Sequence, residues 1–293
     1  MTLWTNRDIT PMLLTEIDKP FNSNEYLFEL KFDGIRALIF VGKNTFEIRS
    51  RNHNIINHLF PELKKIKENI NKNMILDGEI ILIHNNKPSF EKIQERIHLK
   101  DKKRIDYYSK TSPAIFVVFD VLYASKDLTA LTLQERKKYL NQLKENEYLL
   151  KSKSYLYKGI ELFQEIKKLN LEGIVAKRLD SIYQINKRSN DWIKIKNIKN
   201  KKFIIGGFEQ KKKNYLSVLL GEKKDNKLYF VGKATLPNSF HEKVLKSKNI
   251  KTSPFINYNE NNINFIEPII EVEVSYLERT KNNHIRHPII KRG

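Results

Sequence analysis

The sequence has no cysteine in its 293 residues, which removes disulfides, thiolate zinc clusters and thiol nucleophiles together. Its seven histidines show no zinc-like spacing; His284 and His287 stand near each other but make only a weak metal-site candidate. Met1 to Met12 lack an apolar signal core, and no run approaches the roughly 18 apolar residues needed to span a bilayer. The expected address is therefore cytoplasmic, with no membrane partner. Acidic residues are scarce beside basic ones, 34 Asp+Glu against 54 Lys+Arg, giving a net charge of +20. A field of that size favours a polyanion: nucleic acid, an anionic membrane surface or a phosphate-rich ligand. Lys, Asn and Ile recur throughout, as an A/T-rich coding sequence would also produce, so the charge alone leaves both origins open. At 40% hydrophobic and 11% aromatic, the chain has enough apolar mass for a core and two compact domains.

Hydrophobic periodicity gives the outline. Phe28, Leu30 and Phe32 alternate with Glu29 and Lys31, Asp33-Gly34 reads as a turn, and Ala37–Val41 reads as the returning strand of a hairpin. Pro61 opens a helix to about Asn71, with Leu63, Ile66 and Ile70 on one face. Ile75–Ile83 and Ala114–Tyr123 are apolar strands, the second buried on both faces. Thr132 with Glu135 caps a helix over 132–146; a further helix covers Ile160–Leu169, and strands follow at Ile174–Lys177 and Trp192–Ile195. Beyond the basic stretch Asn197–Lys202, short alternating runs at Phe203–Phe208, Tyr215–Leu220, Leu228–Val231 and Ile269–Tyr276, with one helix near Phe240–Ser247, suggest a small barrel. A boundary near residue 200 divides the chain into 1–200 and 201–293. The second part carries +9 of the net charge, so both parts are basic.

Lys31-Phe32-Asp33-Gly34-Ile35-Arg36 is the most informative hexamer. A hairpin turn accounts for Asp-Gly but asks nothing of Lys31 or Arg36, and K-x-D-G-x-R should arise by chance in roughly one chain of this length in a few hundred. Further short motifs follow in order: Ser50-Arg51-Asn52, Asp77-Gly78-Glu79, Phe119-Asp120, Glu172 to Lys177, and Trp192 to Lys196. In this order and spacing the sequence resembles the covalent nucleotidyltransferases, the ATP-dependent DNA ligases, RNA ligases and messenger-RNA capping enzymes. Pro11-Met12-Leu13, Phe203 to Gly207, Glu271 to Val274 and Arg286-His287-Pro288 narrow the resemblance to the ligase module of bacterial ligase D. His53 departs from it, standing where the family commonly has glycine after Ser-Arg-Asn.

The resemblance implies an α+β fold: a nucleotidyltransferase (ATP-grasp-like ligase) domain of antiparallel sheets flanked by helices over 1–200, then a β-barrel OB-fold domain over 201–293. It implies an ATP-dependent DNA ligase that seals 3′-hydroxyl/5′-phosphate breaks in duplex DNA, as a monomer, during repair or end joining. A Ku-like end-binding partner comes by the same analogy, and a nucleoid-associated location follows from DNA binding. Competing readings are an RNA ligase, a GTP-dependent guanylyltransferase, or a catalytically silent nucleic-acid-binding module.

By resemblance, Lys31 would become lysyl-AMP. An amine attacks phosphorus only when deprotonated, and nearby cations, Lys194, Lys196 and a bound Mg²⁺ (or Mn²⁺), would favour that form. Glu79 and Glu172 are hard oxygen donors suited to the metal. Asp33 either assists the metal or the 3′-hydroxyl, or only forms the turn. Arg36 and Arg51 suit bidentate contact with the AMP phosphate and the DNA 5′-phosphate. Glu29, Phe119 and Lys177 complete the nucleotide site, Phe119 as the ring that stacks on adenine or as a plain core aromatic; Asp120 and Trp192 read as structural. Arg286, Lys291 and Arg292 would orient the leaving pyrophosphate or form a solvated tail. Lys211, Lys212 and Lys213, with Lys199 to Lys202, would either follow a DNA backbone or remain solvated.

Overall fold

The structure is a computed structural model that describes residues 2–212 and 215–291, the side chains of 211 and 212 excepted. The chain forms two compact units, Met1–Asn197 and Ile198–Gly293. In the first unit the strands are β1 (Leu13–Glu16), β2 (Tyr26–Leu30), β3 (Ile35–Gly42), β4 (Thr45–Ser50), β5 (Met74–Ile81), β6 (Ile83–His84) and β7 (Lys87–Pro88). Then come α1 (Phe90–Ile97), α2 (Lys102–Thr111), β8 (Ile115–Ala124), α3 (Leu133–Asn141), β9 (Leu149–Lys151), β10 (Ser154–Leu156), α4 (Gly159–Lys168), β11 (Gly173–Arg178) and β12 (Arg188–Lys196). No helix among the described residues is long and apolar enough to cross a membrane.

These strands build two five-stranded sheets, one ordered β1-β12-β11-β2-β10 and the other β4-β3-β5-β8-β9. Most pairs are antiparallel, but β1–β12 and β8–β9 are parallel, so both sheets are mixed. Strand alternation sorts side chains into layers. Leu27, Leu38, Phe40, Ile75 and Trp192 meet between the sheets, while Phe28, Ile174 and Ile195 pack beneath α4 on Phe163 and Ile166. Ala37, Ile39, Val41 and Phe116 face the opposite way, onto Leu63, Ile66, Ile93 and Ile105.

The expected hairpin at residues 28–41 is absent. β2 pairs with β10 and β11, whereas β3 pairs with β4 and β5, so the Asp33-Gly34 segment carries the chain from one sheet to the other. Gly34 is required by a close approach: a β-carbon there would collide with the Ile80 carbonyl. The stretch opened by Pro61 is a 3₁₀ helix, Pro61–Asn69, whose three-residue turn sets Leu63 and Ile66 on the core. The Thr132–Glu135 capping box forms as expected, but its helix ends at Asn141. α1 and α2 were not anticipated from the sequence.

The second unit contains β13 (Lys199–Lys212), β14 (Tyr215–Lys224), β15 (Lys227–Thr235), a short α5 (His241–Leu245), β16 (Asn264–Tyr276) and β17 (Ile289–Ile290). Its sheet runs β15-β14-β13-β16-β17, all antiparallel. Asp225 and Asn226, both at positive φ, make the tight β14–β15 turn. Bulges in β13 and β14 curl the sheet, and the Ile285 N–H reaches across to the Val231 carbonyl at 2.7 Å. The result is a partly closed barrel of OB-fold type.

One buried ion pair fastens α3 to β8. Arg136 gives Nε and Nη2 to Asp120, at 2.9 Å to the nearer oxygen in each case, and Nη1 to the carbonyls of Leu131 and Ser181; both side chains are fully buried. Removing one partner leaves a desolvated charge. Asp120→Ala should lower unfolding free energy by about 3–5 kcal/mol in urea titrations, whereas replacing both residues with apolar ones should recover most of the loss.

Candidate active site

Lys31 is the first residue after β2, where the chain leaves one sheet for the other. Its N–H donates to the Gly173 carbonyl at 2.9 Å, and its ammonium lies 2.6 Å from Glu172 Oε1. Gly173 makes the approach possible. It sits at φ +153°, and a β-carbon there would meet the Ile195 carbonyl. Parity does the rest: Glu29, Arg36, Glu79, Lys177, Trp192 and Lys194 share the inter-sheet face with Leu27, Leu38 and Ile75. On β8 the register slips between Asp77 and Gly78, so Phe119 falls in a bulge and turns toward the same face.

Glu29, Arg36, Glu79, Phe119, Lys177, Trp192 and Lys194 line a cavity of about 650 Å³, together with Leu13, Leu14, Lys31, Arg51, Phe90 and Gln94. Most of its cations are paired. Arg36 grips Asp77 with two bonds, 2.6 and 2.7 Å, and its guanidinium lies 4.5 Å from the Phe119 ring centre. Burial opposes that positive charge, but Asp77 outweighs burial and holds Arg36 more firmly protonated than usual. Tyr183 donates to Asp77 Oδ2 at 2.7 Å and accepts from the Met12 N–H at 3.0 Å. Lys177 reaches Glu29 Oε2 at 2.7 Å while lying 4.0 Å from the Phe119 ring centre and 4.1 Å from that of Trp192. Lys137 and Ser154 bind the other oxygen of Glu29.

The carboxylates differ in character. Burial would raise Glu29, but Lys137 and Lys177 overcome it and hold the carboxyl at about 2; burial lowers Lys177 to about 8 against the pull of Glu29. Glu79 behaves in the opposite way. Burial pushes its carboxyl up to about 8, with Lys31 and Arg36 opposing and Glu172 and Asp77 adding to the rise. Among the described residues no group of three or more His, Cys, Asp or Glu could hold a metal ion. Two carboxylates, Glu79 and Glu172, do act on one another beside Lys31, a donor set that suits a cation keeping several waters or phosphate oxygens.

Of the residues singled out in the sequence, Glu29, Lys31, Arg36, Arg51, Glu79, Phe119, Lys177 and Lys194 line this one cavity. Asp33 lies in the crossing segment between lining residues Phe32 and Gly34 without lining the cavity itself. Lys194 and Lys196, expected as cations near the nucleophile, share Glu16 Oε2 at 3.0 and 2.9 Å. Arg51 is exposed on the turn after β4, where His53 adopts φ 64°, the left-handed conformation that a glycine would take without strain. Asp120 and Trp192 are buried, as a structural role requires.

In the second unit, Arg286 pairs with Glu278, and Lys291 lies 2.7 Å from Glu273. Lys201 pairs with Glu222, and Lys202 lies 3.1 Å from Glu271. Lys213, Arg292 and the side chains of Lys211 and Lys212 lie outside the described residues. Glu16, Lys137 and Tyr183 were missed from the sequence, and no local pattern announces them. Asp77 was visible only as the first letter of Asp-Gly-Glu.

The family model described as ATP dependent DNA ligase domain matches residues 11–196, a span that contains every cavity residue named above. The chain belongs to this family. It is similar to the SPbeta prophage-derived DNA ligase-like protein LigB of Bacillus subtilis, 32% identical over 96% of this chain and 97% of that protein. It also resembles the multifunctional non-homologous end joining protein LigD of Mycolicibacterium smegmatis, 28% identical over 96% of this chain but only 38% of that protein. Among solved structures, the ligase domain of M. tuberculosis LigD matches with TM-score 0.60 and 25% identity, covering 97% of this chain and 94% of that one. The protein is thus an ATP-dependent DNA ligase by family and fold.

The raised Glu79 carboxyl sets a pH dependence for the free ligase. The folded state retains a proton that the unfolded chain releases near pH 4.5, so stability falls as pH rises from that value to about 8. Glu79→Gln, neutral throughout, should match wild type in thermal unfolding at pH 4.5 and exceed it at pH 8.5 by on the order of 2 kcal/mol. Equal midpoints at pH 8.5 would show that Glu79 ionises without penalty.

Proposed function

We propose that the first unit is the adenylation domain and that Lys31 carries AMP between ATP and a DNA 5′-phosphate, with the OB-type unit assisting on duplex DNA. The observation that carries this reading is the position of Lys31: at the chain crossing, in a cavity that also gathers Arg36, Glu79, Phe119 and Lys177. In the first step the deprotonated Lys31 amine attacks the α-phosphorus of ATP. A P–N bond forms, the bond to the β-phosphate oxygen breaks, and pyrophosphate leaves. In the second step a DNA 5′-phosphate oxygen displaces the lysine and takes the AMP. A 3′-hydroxyl then attacks that 5′-phosphate, the sugar-phosphate bond closes, and AMP departs.

This chain's residues supply position and charge. Phe119 offers a ring for adenine, with Arg36 held beside it by Asp77. Glu29 fixes Lys177 at the same wall. Lys194 and Lys196 can exchange Glu16 for phosphate oxygens, since all three side chains are partly exposed. Glu79 and Glu172 would hold Mg²⁺, which when bound neutralises phosphate charge and favours the ionised form of Glu79. LigD is named for end joining and the LigB relative is not, so sealing assays on nicked and blunt-ended duplexes, with and without a Ku-like end-binding protein, assign the break this chain prefers.

Incubation with α-labelled ATP should leave acid-labile label on wild type and none on Lys31→Ala. That variant should still close a nick already carrying 5′-AMP, because the last step needs no lysine nucleophile. Label retained by Lys31→Ala, or taken only from GTP, would overturn the assignment.

A further inference from the structure

α1 separates two cavities. Phe90 and Gln94, one turn apart, line the nucleotide cavity described above, whereas Lys92, Glu95 and Arg96, on the other flank of the helix, line a second cavity of about 610 Å³ closed by α2. That second cavity has its own chemistry. Lys92, Arg96 and Arg104 supply cations, and the only carboxylate lining it among the described residues, Glu95, is engaged by Lys92 at 2.6 Å. Tyr107 and Tyr108 form an edge-to-face pair, 5.5 Å between ring centres, with Tyr107 62% exposed. Arg96 is 2% exposed; Leu59 and Glu62 take two of its nitrogens, and among the described residues the buried Nη1 has no hydrogen-bond partner, as is also true of Glu62 Oε2. Exposed Arg104 and half-buried Lys92 therefore stand with an exposed aromatic face beside a buried guanidinium, and cations next to such a face are the combination that holds a phosphate and a base together.

We propose that this cavity receives an unpaired nucleotide of the DNA strand that runs past the break, a single-stranded overhang or flap. Lys92 and Arg104 meet the phosphate, and Tyr107 stacks on the base. The size fits one nucleotide and not a duplex. Its distance from the break follows from the partition: an α-helix is about 10–12 Å across, and a stacked strand advances about 3.4 Å per nucleotide. The captured residue therefore stands three or more nucleotides from the reacting phosphate. This subsite rests on the DNA-ligase reading and extends it, since nothing in the adenylation cavity distinguishes paired from unpaired flanks.

The test uses the full chain and duplexes bearing an overhang with 5-iododeoxyuridine at successive positions. Photo-crosslinking followed by mass spectrometry should place the adduct on Tyr107 or Tyr108, strongest at the third nucleotide or beyond and absent at the first two. A crosslink elsewhere, or one removed by excess free thymidine monophosphate, overturns the strand subsite. An Arg104→Ala, Tyr107→Ala double variant, altered only at exposed residues, should bind overhang duplex about tenfold more weakly, with unchanged affinity for a fully paired nick and unchanged adenylation of Lys31. Equal losses on both duplexes would mean bulk electrostatics, and no loss would mean an unused cavity; either sinks the proposal. Failure of wild type to adenylate or to seal a nick would instead sink the ligase reading.

Discussion

The active site depends on a chain crossing made in four residues. β2 ends in one sheet and β3 begins in the other, so Lys31 sits at the seam rather than on the face of either sheet. Two glycines permit it: Gly34 lets the crossing pass beneath the Ile80 carbonyl, and Gly173 lets β11 start where its carbonyl can accept from Lys31. Because the seam is also where the inter-sheet faces open, every strand that contributes an inward polar residue contributes it to the same cavity. The constellation is a consequence of alternation plus one crossing.

The motif order was legible in the sequence, and so was the alternation that sets Glu29 on the face opposite Phe28. The crossing was not. Asp-Gly between two extended runs has the same local chemistry whether the second strand folds back on the first or joins a different sheet; only distant pairing with β5 and β11 separates the cases. α1 and α2 escaped for another reason. α1 is only eight residues long, so its stripe of Phe90, Ile93 and Ile97 spans just two turns, and α2 buries only Ile105. Glu16, Lys137 and Tyr183 meet their partners across more than one hundred residues, and such contacts leave no spacing to read.

Within the cleft, stability and geometry come from different sources. Trp192, Phe40, Met12 and Leu38 lie fully or almost fully buried between the sheets and supply the apolar burial that holds them together. The ion pairs contribute little to that, because the desolvation of two charges roughly cancels their attraction. They contribute arrangement. Asp77 is held by Arg36 and Tyr183 at once, and Tyr183 is anchored to the backbone of Met12, so the guanidinium beside Phe119 has one low-energy position.

The same reasoning separates two electrostatic ranges in a chain of net charge +20. In and around the cleft, Lys31, Arg36, Lys137, Lys177, Lys194 and Lys196 answer to Glu172, Asp77, Glu29 and Glu16, so the large excess of positive charge lies elsewhere. Exposed excess charge acts at long range and is screened over about 8–10 Å at physiological salt, which suits the capture of a polyanion and not the ordering of atoms around phosphorus. The buried pairs, Arg36 with Asp77 and Lys177 with Glu29, act over hydrogen-bond distance and are screened far less by salt. Ionic strength should therefore govern how often DNA arrives, while the cleft, once reached, works with a charge balance set by its own carboxylates.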